Sequence, residues 1–182
     1  MISYRYSKKI LKKSIIKIQN ESIKSINSLN RVVSKNIYSP INYPSGDNAA
    51  FDGYAVNSRD TKNIKKNSAK KFKIIGLIAA GNKPFNKKIK KFDAVEIMTG
   101  GIIPKGFDTI IPIEKIVFYP NNNIKRYILI NQKLKKHNHV RFAGSDFKKR
   151  ELVVKKSTFI QPNHILSFKT LGVKNITVKK KN

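Results

Sequence analysis

From Ser45 onward the chain is cut by glycine, proline and asparagine into apolar runs of at most eight residues: Tyr54–Val56, Phe72–Ala79, Ala94–Met98, Thr109–Ile113 and Tyr127–Ile130. Punctuation this frequent leaves no room for the three or four turns of a buried helix, whereas strands of such length are ordinary. A β-rich domain is the expectation. Pro120-Asn121-Asn122-Asn123 reads as a turn between two of its strands, because asparagine tolerates left-handed backbone and proline interrupts a ladder.

The two ends of the chain differ. Ile10, Leu11, Ile15, Ile18, Ile23, Ile26 and Leu29 recur mostly three to five residues apart, which predicts helix over 7–35 with a break near Asn20 to Ser22. Pro40 and Pro44 end that regularity. Towards the C-terminus, Leu152–Val154 and Phe159-Ile160 read as a strand pair, Pro162–Leu171 as a short helix and Val173–Val178 as a last strand.

A formal charge of +29 would ordinarily nominate nucleic acid or an anionic surface as partner. The charge rests on 33 lysines against 6 arginines, alongside 19 asparagines, the bias expected of an A+T-rich coding sequence. Bidentate readout of phosphate and base edges favours the planar fork of arginine. The lysines are also scattered in doublets along the whole length, without a single stripe and interleaved aromatics. Nucleic acid is therefore disfavoured, and a solvated basic surface is the reading.

There is no cysteine, which excludes a disulfide framework, a thiolate metal site and a catalytic thiol. His137 and His139 flank Asn138 in a polar connection and His164 stands apart, a poor basis for zinc, which wants three or four protein ligands. No apolar run approaches the ~18–20 residues of a membrane span, and no secretory signal is evident. The first 18 residues are basic, acid-free and place Leu11, Ile15 and Ile18 at helical spacing, a pattern shared with organelle-targeting peptides. We read them as an amphipathic first helix, and the protein as cytoplasmic with no membrane association.

Three glycine-containing segments stand out. In Asp47–Val56, Asp52 precedes Gly53 at a corner before a strand. In Ala94–Glu114, a buried strand opens into Thr99-Gly100-Gly101, where a hydroxyl and exposed backbone N–H groups would suit an oxyanion. In Arg141–Asp146, Gly144 and Ser145 lead directly to a second carboxylate. Two presented carboxylates suit Mg²⁺, which takes one or two of them and completes its shell with water and phosphate. On local grounds alone a turn or cap role for either acid competes with that reading.

Together and in this order, the segments resemble the molybdopterin molybdenumtransferase family, which includes the E domain of gephyrin. Its front region has Asn-Ser-Ala-Met-Asp-Gly-Tyr-Ala, then Met-Thr-Gly-Ala with Pro-x-Gly-Ala-Asp and a later Glu, then Arg with Gly-Glu/Ser-Asp. Outside the loops, Ser28–Ser34 is similar to the family's Ala-Leu-Gly-Arg-Val-Leu-Ala, and Gly76, Ala80-Gly81, Pro162 and Leu171-Gly172 fall where equivalents occur. The resemblance covers essentially the whole chain.

It implies an α+β, β-dominated fold: an elongated linker domain built from both chain ends, 1–45 and 147–182, with an inserted β-rich, barrel-like domain, 46–146. It also implies molybdenum cofactor biosynthesis, in a homodimer where Mg²⁺ and molybdate join adenylated molybdopterin and molybdenum enters the dithiolene as AMP leaves. Asp52, Thr99 and Asp146 correspond to catalytic residues, with Asp52 and Asp146 on the metal and Thr99 on phosphate or molybdate. Gly53, Gly100 and Gly101 would adjoin substrate. Asp108 and Glu114 match the motif in turn and strand-end roles.

The departures carry information. Ala49, Phe51 and Gly101 replace the family's usual Ser, Met and Ala, and Asn30 stands in for a glycine. Arg150 and Ser157 occupy usual turn glycines, so strain is expected wherever those turns need positive φ. The pterin-binding and C-terminal domains of a full member have no counterpart here. Alone, the chain is expected to be incomplete, restored by a separate pterin-binding polypeptide in a split gene, or else to be a non-catalytic dimerisation scaffold or decayed fragment.

Overall fold

A computed structural model describes residues 2–14, 18–65, 68–82 and 85–181. In chain order these form α1 (Tyr4–Lys13), β1 (Asn20–Lys24), β2 (Ile37–Tyr38), β3 (Asn48–Ala49) and β4 (Gly53–Val56). Then come β5 (Lys70–Ile78), β6 (Asp93–Ile97), β7 (Thr109–Pro112), β8 (Val117–Pro120) and β9 (Lys125–Ile130). The last are β10 (Val140–Arg141), β11 (Leu152–Val154), α2 (Pro162–Leu171) and β12 (Asn175–Lys179). The described residues are β-dominated, with few helices.

Two compact units emerge, residues 1–40 with 149–182, and residues 41–148. In the first, β1 pairs antiparallel with β12 and β2 with β11, so each pairing joins the two chain ends. Its core is Val33, Ile37, Val154, Ile160, Phe168, Ile176 and Val178, all buried. α2 supplies Phe168 and begins and ends as its sequence dictates. Pro162 fills the first turn, where its missing N–H is no loss, and Gly172 closes it in left-handed conformation at φ 72°.

Among the described residues, the α-helix expected over 7–35 is confined to α1, with a 3₁₀ turn at Ser25–Asn27; Ile15 lies outside the described residues. From Asn20 the backbone is strand, because Ile23 packs opposite Ile176 across the β1–β12 ladder and that long-range pairing overrides helical spacing. The pair expected between Leu152–Val154 and Phe159-Ile160 is also replaced. β11 pairs with β2, while Phe159 makes only an isolated bridge to Val32.

The second unit is a six-stranded sheet in the order β7-β4-β6-β5-β9-β8, antiparallel except for β5 against β6. β7 and β8 remain its edges, so it curls as a half-barrel without closing. Every residue of β4 is buried, because both faces of this strand are covered. Ala55 joins Val95, Ile97 and Ile110 on one face, and Tyr54 and Val56 join Phe72, Ile111 and Ile128 on the other. That double burial fixes the register of β4 and hence the corner just before it, where Asp52 lies.

Candidate functional site

All three glycine segments fall in the second unit, where short backbone ladders stitch them together. β3 pairs with β10, placing Ala49 opposite Val140 and Asn48 opposite Arg141. On its other side, Ala49 donates to Gly101 O at 3.0 Å and accepts from Gly100 N at 2.9 Å, while Ile103 N donates to Asp47 O at 2.9 Å. Segments far apart in the chain thus become neighbours through the two edges of one dipeptide strand.

The Asp52 corner is held tightly. Its carbonyl accepts from Ile113 N at 3.0 Å. A Cβ on Gly53 would stand 2.0 Å from Ile111 O, a backbone atom that cannot yield, so glycine is required for β4 to approach β7. On the exposed side of the corner, Asp52 Oδ1 accepts two bonds from Thr99, from the amide at 2.6 Å and from the hydroxyl at 2.7 Å. The Thr99 hydroxyl, and next its amide, hold the Asp52 carboxyl below its ordinary range.

Asp146 is exposed as well, on the turn after Gly144, whose φ is 71° and whose N–H donates to Pro44 O. The Arg141 guanidinium pairs with Asp146 Oδ2, and the Ser145 hydroxyl donates to Oδ1 at 3.2 Å. The hydrogen bond from Arg141 is the main reason the Asp146 carboxyl is depressed. No bond joins the side chains of Asp52 and Asp146 among the described residues, and the β3–β10 ladder links only the segments that lead to them.

The exposed N–H groups expected at Thr99-Gly100-Gly101 are not found. Gly100 N donates across to Ala49 O on β3 and Gly101 N closes the turn onto Met98 O at 2.8 Å, so both are engaged. The glycines serve shape instead: Gly100 has φ 80°, and a Cβ on Gly101 would meet Ile97 Cγ1 at 2.8 Å and Met98 O at 2.9 Å. Asp108 serves its turn, accepting from the amide and hydroxyl of Ser58 at 2.7 and 2.9 Å. Glu114 lies in the short 3₁₀ turn after β7.

Two contacts that support the site were not anticipated from sequence. Arg141 neutralises Asp146, a pairing that its five-residue spacing across a glycine turn could have revealed. His139, at φ 55°, accepts from Ala50 N at 3.0 Å through its carbonyl and sets its ring edge-on to Phe51 at 5.0 Å between centroids. Nothing in local pattern announces that contact, which spans 88 positions of sequence.

The second unit thus presents an exposed carboxylate latched to a threonine at a tightly packed corner, and a second exposed carboxylate on a glycine turn. Residues 2–172 match the family described as the MoeA N-terminal region (domain I and II), and the chain belongs to that family. It is 31% identical over 168 residues to a molybdopterin molybdenumtransferase of Haemophilus influenzae, covering 92% of this chain and 39% of the relative. A Bacillus subtilis molybdopterin molybdenumtransferase is 28% identical, with 85% of this chain and 35% of the relative covered. Among solved structures, a molybdopterin biosynthesis moeA protein from Pyrococcus horikoshii superposes with TM-score 0.89 at 28% identity, over 100% of this chain and 45% of that one. The chain thus spans about two fifths of the length of these relatives.

Proposed function

We propose that the chain is the N-terminal part of a molybdopterin molybdenumtransferase, acting in molybdenum cofactor biosynthesis as a homodimer together with a pterin-binding part. Its substrates are molybdate and adenylated molybdopterin. The observation that carries this reading is the double bond-donation from Thr99 to Asp52 Oδ1, which favours the ionised Asp52 and leaves Oδ2 without a hydrogen bond among the described residues.

The fit of these residues to Mg²⁺ is uneven. Asp52 Oδ2 is available as a single hard ligand, the number Mg²⁺ commonly takes from protein when phosphate and water supply the rest. Both oxygens of Asp146 are engaged, by Arg141 and Ser145, so Asp146 reaches a metal only if Arg141 exchanges it for an anionic group of the substrate. Mg²⁺ bound at Asp52 would offset phosphate charge as AMP departs.

The chain's own contribution is positioning. Gly53 lets the Asp52 corner sit against β7, Gly100 and Gly101 bring the Thr99 turn against it, and Arg141 offers an exposed guanidinium suited to phosphate. Thr99 donates its hydroxyl proton to Asp52, so it meets an oxyanion as a donor only after releasing that bond.

The test is molybdate-dependent release of AMP from adenylated molybdopterin, by this chain mixed with a separately produced pterin-binding part. Release in the mixture and not in either component supports the reading. A mixture no better than its components points instead to a non-catalytic scaffold, a reading favoured by the backbone bonds that already engage the N–H groups of Gly100 and Gly101.

A further inference from the structure

None of the residues of α1 is buried. Its turns nevertheless sort cleanly, with Tyr4, Ser7, Ile10 and Leu11 along one side and Arg5, Lys8, Lys9, Lys12 and Lys13 round the other. Tyr4 is 79% and Leu11 73% exposed. The helix is capped by Ser3, which accepts from Tyr6 N, and by Ser14, whose hydroxyl donates to Ile10 O. Caps alone leave ten residues marginal in water, and a helix with one apolar side is stabilised by whatever covers that side.

The ladder between β1 and β12 indicates what covers it. Asn20 stands opposite Lys179, and Lys180 N donates to Gln19 O at 2.8 Å, so the backbone coming from α1 and the backbone leaving β12 run side by side. Six residues, 14–19, separate α1 from β1 and hold it within about 20 Å of that exit. More than half the length of the relatives lies outside the matched N-terminal region. A domain attached or docked after β12 therefore starts within reach of α1.

We infer that α1 is a docking helix for the pterin-binding part of the enzyme, whether that part is a separate polypeptide or a continuation. This rests on the proposed function. The apolar side of α1 seats in an apolar groove, and its five basic residues face carboxylates on the rim of that groove. Charge complementarity of this kind steers association and makes it sensitive to salt.

The experiment is amide hydrogen exchange over residues 4–13, in the chain alone and in a cooperatively folding fusion that joins the remaining part of the P. horikoshii protein after Asn182. Exchange in α1 should slow by about 100-fold in the fusion and recover in the Ile10→Asp, Leu11→Asp double variant, with β1 and β12 protected throughout. Equal exchange of α1 in both proteins would overturn the inference. So would protection of α1 in the chain alone that grows with protein concentration, marking a second copy as occupant, or that appears only with phosphatidylglycerol vesicles, marking a lipid surface. Molybdenum insertion measured on the same fusion separates the two ideas. A protected α1 without insertion leaves the docking helix standing and removes the enzymatic reading, and insertion with an unprotected α1 does the reverse.

Discussion

Thr99 donates both its amide and its hydroxyl hydrogen to one oxygen of Asp52, at 2.6 and 2.7 Å. The folded protein therefore holds the Asp52 proton less tightly than the unfolded chain does. The latch favours the fold at neutral pH, and its contribution is lost as pH falls through the depressed Asp52 pKa. Thr99→Val removes the larger cause and keeps the amide bond. A carbon-detected NMR titration should show the Asp52 carboxyl moving up towards the ordinary aspartate range, and Thr99→Ser should restore the depression.

Gly53→Ala tests the corner from its buried side. The added Cβ would lie 2.0 Å from Ile111 O, and relief requires separating β4 from β7. Urea unfolding should show a loss of about 3 kcal/mol, the upper end for an overpacked site. Gly172→Ala meets no atom within 4 Å and should cost only about 1 kcal/mol, from its positive φ.

Arg150 and Ser157 have φ of 72° and 69°, so the strain expected from their replacement of turn glycines is present in the backbone. Arg150→Gly should stabilise the first unit by about 1 kcal/mol, and Ser157→Gly by a similar amount. Thermal denaturation of the double variant should show both gains adding, since each turn has its own backbone partner, Ser39 for Arg150 and Val33 for Ser157.

Phe168→Ala and Phe72→Ala remove fully buried rings from the cores of the first and second units respectively. Each should cost about 3–5 kcal/mol. Hydrogen exchange should place the loss in α2 and β12 for the first variant, and in β5 and β9 for the second.

Elements governed by local chemistry were legible in the sequence. α2 spans Pro162–Leu171 as expected, since proline and glycine mark its two ends, and β4, β5, β6, β7 and β9 each overlap an apolar run between turn residues. Elements governed by distant partners were not. Ile18, Ile23, Ile26 and Leu29 kept a helix-like spacing, yet Ile23 belongs to a ladder with Ile176, 153 positions away. At the site, the corner aspartate and its threonine were recognisable as residues, but their bond was not, nor was the bond from Gly100 N to Ala49 O on β3. Such pairings depend on β3, a two-residue strand whose neighbours lie about 50 and 90 positions downstream.

The most direct test of the account is molybdenum insertion into adenylated molybdopterin, with Mg²⁺ and molybdate, by this chain and a separately produced pterin-binding part, comparing the native chain with Asp52→Asn. The account predicts insertion by the native mixture and a loss of about 100-fold with Asp52→Asn, the scale of removing one preorganised charge from a polar transition state. Insertion undiminished by Asp52→Asn, or none from the native mixture, would contradict it.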